Sequence, residues 1–232
     1  MKLSYDLHIH SCLSPCGDDT MTPNNIVNMC ALKGLDVIAV TDHNHCGNVP
    51  PVYALARAQG IICIPGMEVQ TREEVHVLCY FETIEKMQSF FDIFDTYRLR
   101  LPNRPDYFGE QYFMDIEDVI VDTYAHTLIT SMDLSFEALI ALVKQYDGIA
   151  IPAHVNKGSN SILANLGFMP KTADINTVEV FKGAPLPDGI FDHYVQLFNS
   201  DAHALAAISE PEHFIEVDEK NITAVFKCLR GA

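Results

Sequence analysis

Two histidines separated by one residue, His8 and His10, close an apolar opening, Leu3-Ser4-Tyr5-Asp6-Leu7, that reads as a first strand. Side chains along a strand alternate faces, so Asp6, His8 and His10 point one way and Leu7 and Ile9 the other. Two imidazoles on one face make a chelate for a divalent ion, and carboxylates complete such sites. The same residue types recur downstream as Asp42-His43, Glu68, His76, His154 and Asp201-Ala202-His203, nearly all just after short apolar runs. Ligand-type side chains gathered at strand ends are what a multi-metal site on a barrel rim requires.

The elements that must position them can be read along the chain. Residues 3–9 form the first strand. Thr22-Pro23 opens a helix, with Thr as N-cap and Pro at the first helical position, and Lys33-Gly34 ends it. Residues 36–40 form the second strand, with Thr41-Asp42-His43-Asn44-His45 at its carboxyl end. A helix over 52–59 is closed by Gly60. The apolar run 61–64 has the continuous character of a strand buried on both faces and leads into Pro65-Gly66-Met67-Glu68-Val69. Residues 74–81 alternate as a strand and carry His76. A helix follows from 84 to about 98.

The stretch 101–134 is the least regular and reads as an insertion or lid; within it, 109–121 fits either a hairpin or a strand leading into a helix. Ser135 caps a helix over 136–145, with Leu139, Ile140 and Val143 at helical spacing. A strand over 148–151 leads to Pro152-Ala153-His154. Further strands are expected at 178–181, 196–199 and 214–217, and a closing helix at 221–229. This alternation predicts an α/β barrel of roughly seven strands, distorted or incomplete, in one domain over 1–232.

The chain has 31 acidic and 15 basic residues, a formal charge of −16. That sum argues against a long nucleic-acid partner, which needs a basic face. A small phosphorylated substrate stays open, because divalent ions reverse the sign of the field in their own cleft. No apolar run approaches ~18 residues, so no membrane partner is expected. Seven cysteines without a regular framework suit a reduced, cytoplasmic protein. Cys12 and Cys16 flank the first histidine pair and Cys46 follows the second motif, so thiolate ligation is an alternative to carboxylates there. Oligomeric state is open.

In order, Asp6-Leu7-His8-Ile9-His10, Thr41-Asp42-His43-Asn44, Pro65-Gly66-Met67-Glu68, Pro152-Ala153-His154 and Ser200-Asp201-Ala202-His203 resemble the PHP family, named for polymerase and histidinol phosphatase. The likeness spans Asp6 to His203. It implies a distorted seven-stranded α/β barrel with a trinuclear centre at the carboxyl ends of the strands. It also implies two or three divalent ions (Zn, Mn or Fe) and phosphoester hydrolysis by a metal-bound hydroxide, with no covalent phosphoenzyme.

Carried over by position, the resemblance gives His8, His10, Glu68 and Asp201 to a first metal. Glu68 would bridge to a second, completed by His76 and His154. His43 and His203 would hold a third with a residue of the loop after His10. Many members place an Asp or His five residues after the second histidine, where this chain has Pro15. Counting back from Thr22-Pro23 puts Asp18 in that place, after a three-residue insertion, with Asp19 and Cys16 as competitors.

Asp6 and Asp42 are expected to orient ligand imidazoles by accepting their other N–H. Lys157, His45 and Arg72 are candidate contacts for a substrate phosphate. His126, His193 and His213 lie outside every motif and read as ordinary polar residues. The expected function is hydrolysis of a small phosphorylated metabolite or nucleotide. The alternatives are a histidinol-phosphate phosphatase, an enzyme of short oligonucleotides or nucleoside bisphosphates, and a non-catalytic metal-binding regulatory module.

Overall fold

The computed structural model describes residues 1–171 and 175–231. Strand β1 (Lys2–Ile9) is followed by α1 (Pro23–Lys33), β2 (Val37–Val40), α2 (Val49–Ala58), β3 (Ile62–Cys63), β4 (Gly66–Gln70), β5 (His76–Tyr80) and α3 (Ile84–Phe94). The middle of the chain holds the one-turn helix α4 (Pro105–Phe108) and a hairpin of β6 (Tyr112–Met114) and β7 (Ile120–Thr123). Then come α5 (Phe136–Gln145), β8 (Ile149–Pro152), α6 (Ile162–Leu166), β9 (Thr177–Glu179), β10 (Val195–Leu197), β11 (Phe214–Glu216) and α7 (Ile222–Leu229).

Helix ends follow local chemistry. Pro23 begins α1, and Gly34 takes the left-handed conformation (φ 76°) that lets its N–H close on the carbonyl of Ala31. The Ser135 hydroxyl accepts the N–H of Ala138 at the start of α5, which spans the residues expected of it. Helix α3 is shorter than expected: it stops at Phe94 and tightens into a 3-10 turn over Asp95–Tyr97. Residues 109–121 resolve toward a hairpin, and β7 is exposed along its whole length.

β1 pairs in parallel with β2 and antiparallel with β11, and β2 pairs in parallel with β3. A second, antiparallel sheet runs β4-β5-β8. β9 and β10 form a parallel pair. These ladders are short and do not close into one continuous barrel. At the carboxyl ends of β1 and β2 they meet through single contacts instead. Ile9 bridges Ala202, and His43 bridges Glu68. The N–H of Val155, just past β8, donates to the carbonyl of Glu179 in β9 at 2.9 Å.

β1 is buried from Leu3 onward and divides the apolar interior. Leu3, Tyr5 and Leu7 pack with Ala39, Leu78, Ile151 and Phe226. Ile9, on the same side of the pleat, reaches a separate cluster with Ile26, Val27, Val40 and Ile208. The opposite side of β1 carries Asp6, His8 and His10, all without solvent exposure. Burying such groups is costly unless each is paired, so their partners identify the site. Among the described residues, no helix is long and apolar enough to cross a membrane.

Candidate metal centre

His8 and His10 project from the end of β1, His43 from just past β2, Glu68 from the middle of β4 and His76 from the start of β5. His154 follows β8, and Asp201 and His203 follow β10. Glu68 therefore lies inside a strand, paired with Leu78, and not in a loop after one. Three of these segments turn through left-handed, non-glycine residues: Asn44 (φ 51°), His154 (φ 30°) and Asp201 (φ 53°). Such backbone costs on the order of 1–3 kcal/mol per residue and persists only where the surroundings hold it. Asn44 shows how. Its amide donates to the carbonyls of Leu128 and Thr130, and its Oδ1 accepts the N–H of Gln70.

The carboxylate of Glu68 is the hub. His76 Nδ1 lies 2.8 Å from Oε1 and His43 Nδ1 2.9 Å from Oε2. His154 Nε2 and His8 Nε2 approach Oε1 at 3.2 and 3.4 Å, and His10 Nε2 approaches Oε2 at 3.5 Å. Burial works against its charge, but His76, His8 and His43 outweigh it and hold the carboxyl well below the usual range.

Partners on the far side of each ring set the tautomers. His8 Nδ1 sits 3.0 and 3.1 Å from the two oxygens of Glu179, so it carries the proton. Ser14 gives its single hydroxyl proton to Asp42 Oδ1 at 2.6 Å and so accepts from His10 Nδ1 at 2.9 Å. Each Nε2 is then left with a lone pair. The two Nε2 atoms are 3.1 Å apart, and Asp201 Oδ1 lies 3.3 and 3.2 Å from them. Three lone-pair atoms facing one another require a cation among them, either a proton or a metal ion. Burial opposes a charge on His8, but Glu179, Asp201 and Glu68 raise it well above its usual pKa. Burial and the neighbouring His43 push His10 well below it.

This donor chemistry fits divalent metals. His8, His10 and Asp201 form one cluster of ligand atoms, all within 4.8 Å of one another; His10, His43 and His203 form a second, and His43, Glu68 and His76 a third. These clusters cut across the expected sets, since His10 and His43 each join two. Glu68 Oε2, His76 Nε2 and His154 Nδ1 are buried without a hydrogen-bond partner. Native proteins rarely leave such atoms unpaired without an ion, a water or a chemical use for them.

Several expected placements need correction. Asp18 is exposed, and its carboxylate folds back to accept the N–H and hydroxyl of Thr20 at 2.8 and 2.6 Å. Cys16, in the same loop, is exposed, and the imidazoles of His203 and His43 act on its thiol. Burial would raise this thiol, but those two imidazoles bring it down to about 6. Asp6 touches no imidazole; it accepts the backbone N–H groups of His8, Ser200 and Ser209. Asp42 reaches His10 only through Ser14. His45 is turned away among Phe91, Phe113 and Tyr124, where burial and then Arg98 push it down to about 3. Arg72 is exposed and held by Asp133 at 2.8 Å, because its backbone is tied to Leu134 outside the cleft.

Lys157, by contrast, lines the cleft with His43, Glu68, His154, Asp201 and His203, and its ammonium is paired with Asp201. Sequence reasoning missed Glu179. A carboxylate between Val178 and Val180 in an apolar strand was the available signal, since a buried charge must have a partner.

The PHP domain profile matches residues 6–166 of this chain. Over 81 residues the chain is 31% identical to a 5'-3' exoribonuclease of Haemophilus influenzae, covering 34% of this chain and 28% of that protein. Over 76 residues it is 33% identical to a 3',5'-nucleoside bisphosphate phosphatase of Chromobacterium violaceum, covering 32% of this chain and 26% of that protein. The matched stretches thus span under a third of either relative.

The lesion-specific endonuclease PfuEndoQ of Pyrococcus furiosus superposes with a TM-score of 0.75 at 20% identity, over 100% of this chain and 56% of that one. A metal-dependent phosphoesterase of Bifidobacterium adolescentis superposes at 0.65 and 19% identity, over 98% and 96%. Endonuclease Q has also been solved with a 27-mer duplex carrying an abasic lesion at its active site; that structure superposes at 0.71 and 20% identity, over 100% of this chain and 57% of that one. This corrects the exclusion of long nucleic acid drawn from net charge. A fold shared with a DNA-bound protein is compatible with such a partner, and a whole-chain charge sum does not describe the local field at a cleft. By the profile match, which takes in most of its length, this chain belongs to the PHP domain family.

Proposed function

We propose that the chain hydrolyses a phosphoester at a centre of two or three divalent ions (Zn, Mn or Fe) held by His8, His10, His43, Glu68, His76, His154, Asp201 and His203. The observation that carries this reading is the set of facing lone pairs on His8, His10 and Asp201 beside the fully buried Glu68. Metal ions bound there would polarise phosphoryl oxygens and make a water acidic enough to attack near neutral pH.

The chain's own groups do the rest. Glu68 presents both oxygens to different imidazoles, which suits it to be shared between ions. Glu179 and Ser14 hold His8 and His10 with their Nε2 atoms turned inward. Lys157 is the only lysine or arginine among the residues lining the cleft. Exchanging Asp201 for a phosphate oxygen would let it bind substrate as a point charge.

The cleft is small, about 160 Å³. Pockets that enclose a drug-sized ligand measure about 300–1,000 Å³. The space therefore suits the reacting phosphoryl group, with the rest of the substrate outside. This favours a nucleotide, nucleoside bisphosphate or oligonucleotide end, or a phosphorylated metabolite of similar build, and agrees with the names of the two relatives above.

The chain reads as one unit over 1–232. Its strands β1, β2, β4, β5, β8, β9 and β10 form a distorted seven-stranded barrel joined at its seams by the single bridges near the site. In this reading 101–134 is an insertion beside the cleft.

The test is phosphate release from a nucleoside 3',5'-bisphosphate, a 5'-phosphorylated oligoribonucleotide and an aryl phosphate by metal-loaded protein. Turnover should require a divalent ion and be lost in Glu68→Gln. Protein that binds metal tightly but turns over none of the three would favour the non-catalytic module.

A further inference from the structure

Just outside the metal cleft, two residues past β9, stands an aromatic ring that the core does not use. Phe181 is 39% exposed, although it follows the strand whose Glu179 holds His8. Its backbone is clamped to the loop after β8. The Asn156 side chain accepts the N–H of Phe181 at 2.8 Å and donates to the carbonyls of Phe181 and Ala184 at 2.9 and 2.8 Å. The chain then passes close against the ring: a Cβ at Gly183 would lie 2.5 Å from its Cζ. The next residue of the clamping loop is Lys157. Its ammonium lies 5.1 Å from the centroid of the Phe181 ring and is also paired with Asp201 in the cleft. One lysine thus links the ring to a candidate metal ligand. Phe181 also lines a second cavity, of about 310 Å³, with Lys182, Asn199 and Ser200, the last adjacent in sequence to Asp201.

We propose that Phe181 is the stacking platform for the aromatic base of the nucleotide that carries the reacting phosphate, whether that nucleotide is free or at a chain end. The proposal rests on the phosphoesterase reading above and names its substrate class. An ammonium over a ring face is held by the ring's quadrupole. Once a phosphate oxygen draws Lys157 away, that face is open to a base, and every base has a π-face to offer it. The cleft has room for the phosphoryl group, and the second cavity reaches the size at which ligand pockets begin, about 300 Å³.

The chain has no tryptophan, so Phe181→Trp places a single indole at the platform, and a stacked base quenches its fluorescence. On mixing with the metal-loaded full chain, adenosine 5'-monophosphate should quench it saturably and ribose 5-phosphate should not. Phe181→Leu keeps an apolar side chain but no π-face. It should lower kcat/KM for a nucleoside 3',5'-bisphosphate by about 5-fold or more. Inhibition by inorganic phosphate should be unmoved. Equal quenching by the two probes, none by either, or an unchanged kcat/KM in Phe181→Leu overturns the platform and leaves the phosphoesterase reading standing. Base-dependent quenching in a protein that turns over no phosphoester supports the platform and overturns that reading.

Discussion

Glu179 shows how much of a metal site lies behind its ligands. Its carboxylate holds His8 Nδ1 and accepts the backbone N–H of His154 at 2.8 Å and the amide of Asn199 at 2.7 Å. One buried group thus orients a candidate ligand and anchors the strained turn that carries another. Partners of this kind fix ring orientation and tautomer, and losing one typically costs 10- to 100-fold in metal affinity. Glu179→Ala should weaken zinc binding by about that factor, measured against a competing chelator. Glu179→Gln, which keeps an acceptor but not the charge, should fall between. An alanine variant that binds zinc as tightly as the wild type would remove Glu179 from this role. The histidines were legible because imidazoles clustered in order after apolar runs have few other uses. Glu179 was not, because a single carboxylate in a strand reveals its partner only when the strands are assembled.

At the scale of elements, the site depends on strands held in register by polar contacts far from it. Asp36, between α1 and β2, accepts the N–H and hydroxyl of Ser4 on β1, each at 3.1 Å, and the ammonium of Lys220 ahead of α7 at 2.7 Å. Partial burial pushes its pKa up, but the bond from Lys220 and those from Ser4 prevail, so the carboxyl sits below its ordinary value. The sign of the linkage follows. A carboxyl depressed on folding adds stability above its unfolded pKa of about 3.9, and that stability is lost as pH falls through the lower folded value. Asp36→Asn should therefore lower stability near neutral pH by roughly 1 kcal/mol, as expected for a partly exposed pair. Its melting temperature should converge on the wild type in acid. A gap that is constant with pH would mean that charge is not the cause.

At the scale of the molecule, net charge matters more for encounter than for what is bound. At −16 the chain repels any phosphorylated anion before the local field of the cleft takes over. The screening length falls from about 30 Å at 0.01 M to about 8 Å at 0.15 M ionic strength. The kcat/KM for an anionic phosphoester should therefore rise across that range, opposite to the behaviour of a basic nuclease. Rates that fall steeply with salt would mean that the cleft's own positive field dominates at long range.

Local pattern by itself determined where most helices and strands lie and which histidines gather. Periodicity, caps and turn residues are properties of neighbouring positions, as the span of α5 and the glycine stop of α1 show. The family resemblance was legible for the same reason, since its motifs are short and ordered. Three things were left to the tertiary structure. Glu68 lies within a strand because its apolar neighbours find β5 only on folding. The strands meet near the site through single bridges instead of a continuous ladder. Counting back from Thr22-Pro23 favoured Asp18 in the loop, with Asp19 and Cys16 as competitors. The folded loop turns Asp18 away from the cleft: its carboxylate is taken by Thr20, and its N–H by the carbonyl of His203, nearly two hundred residues away in sequence.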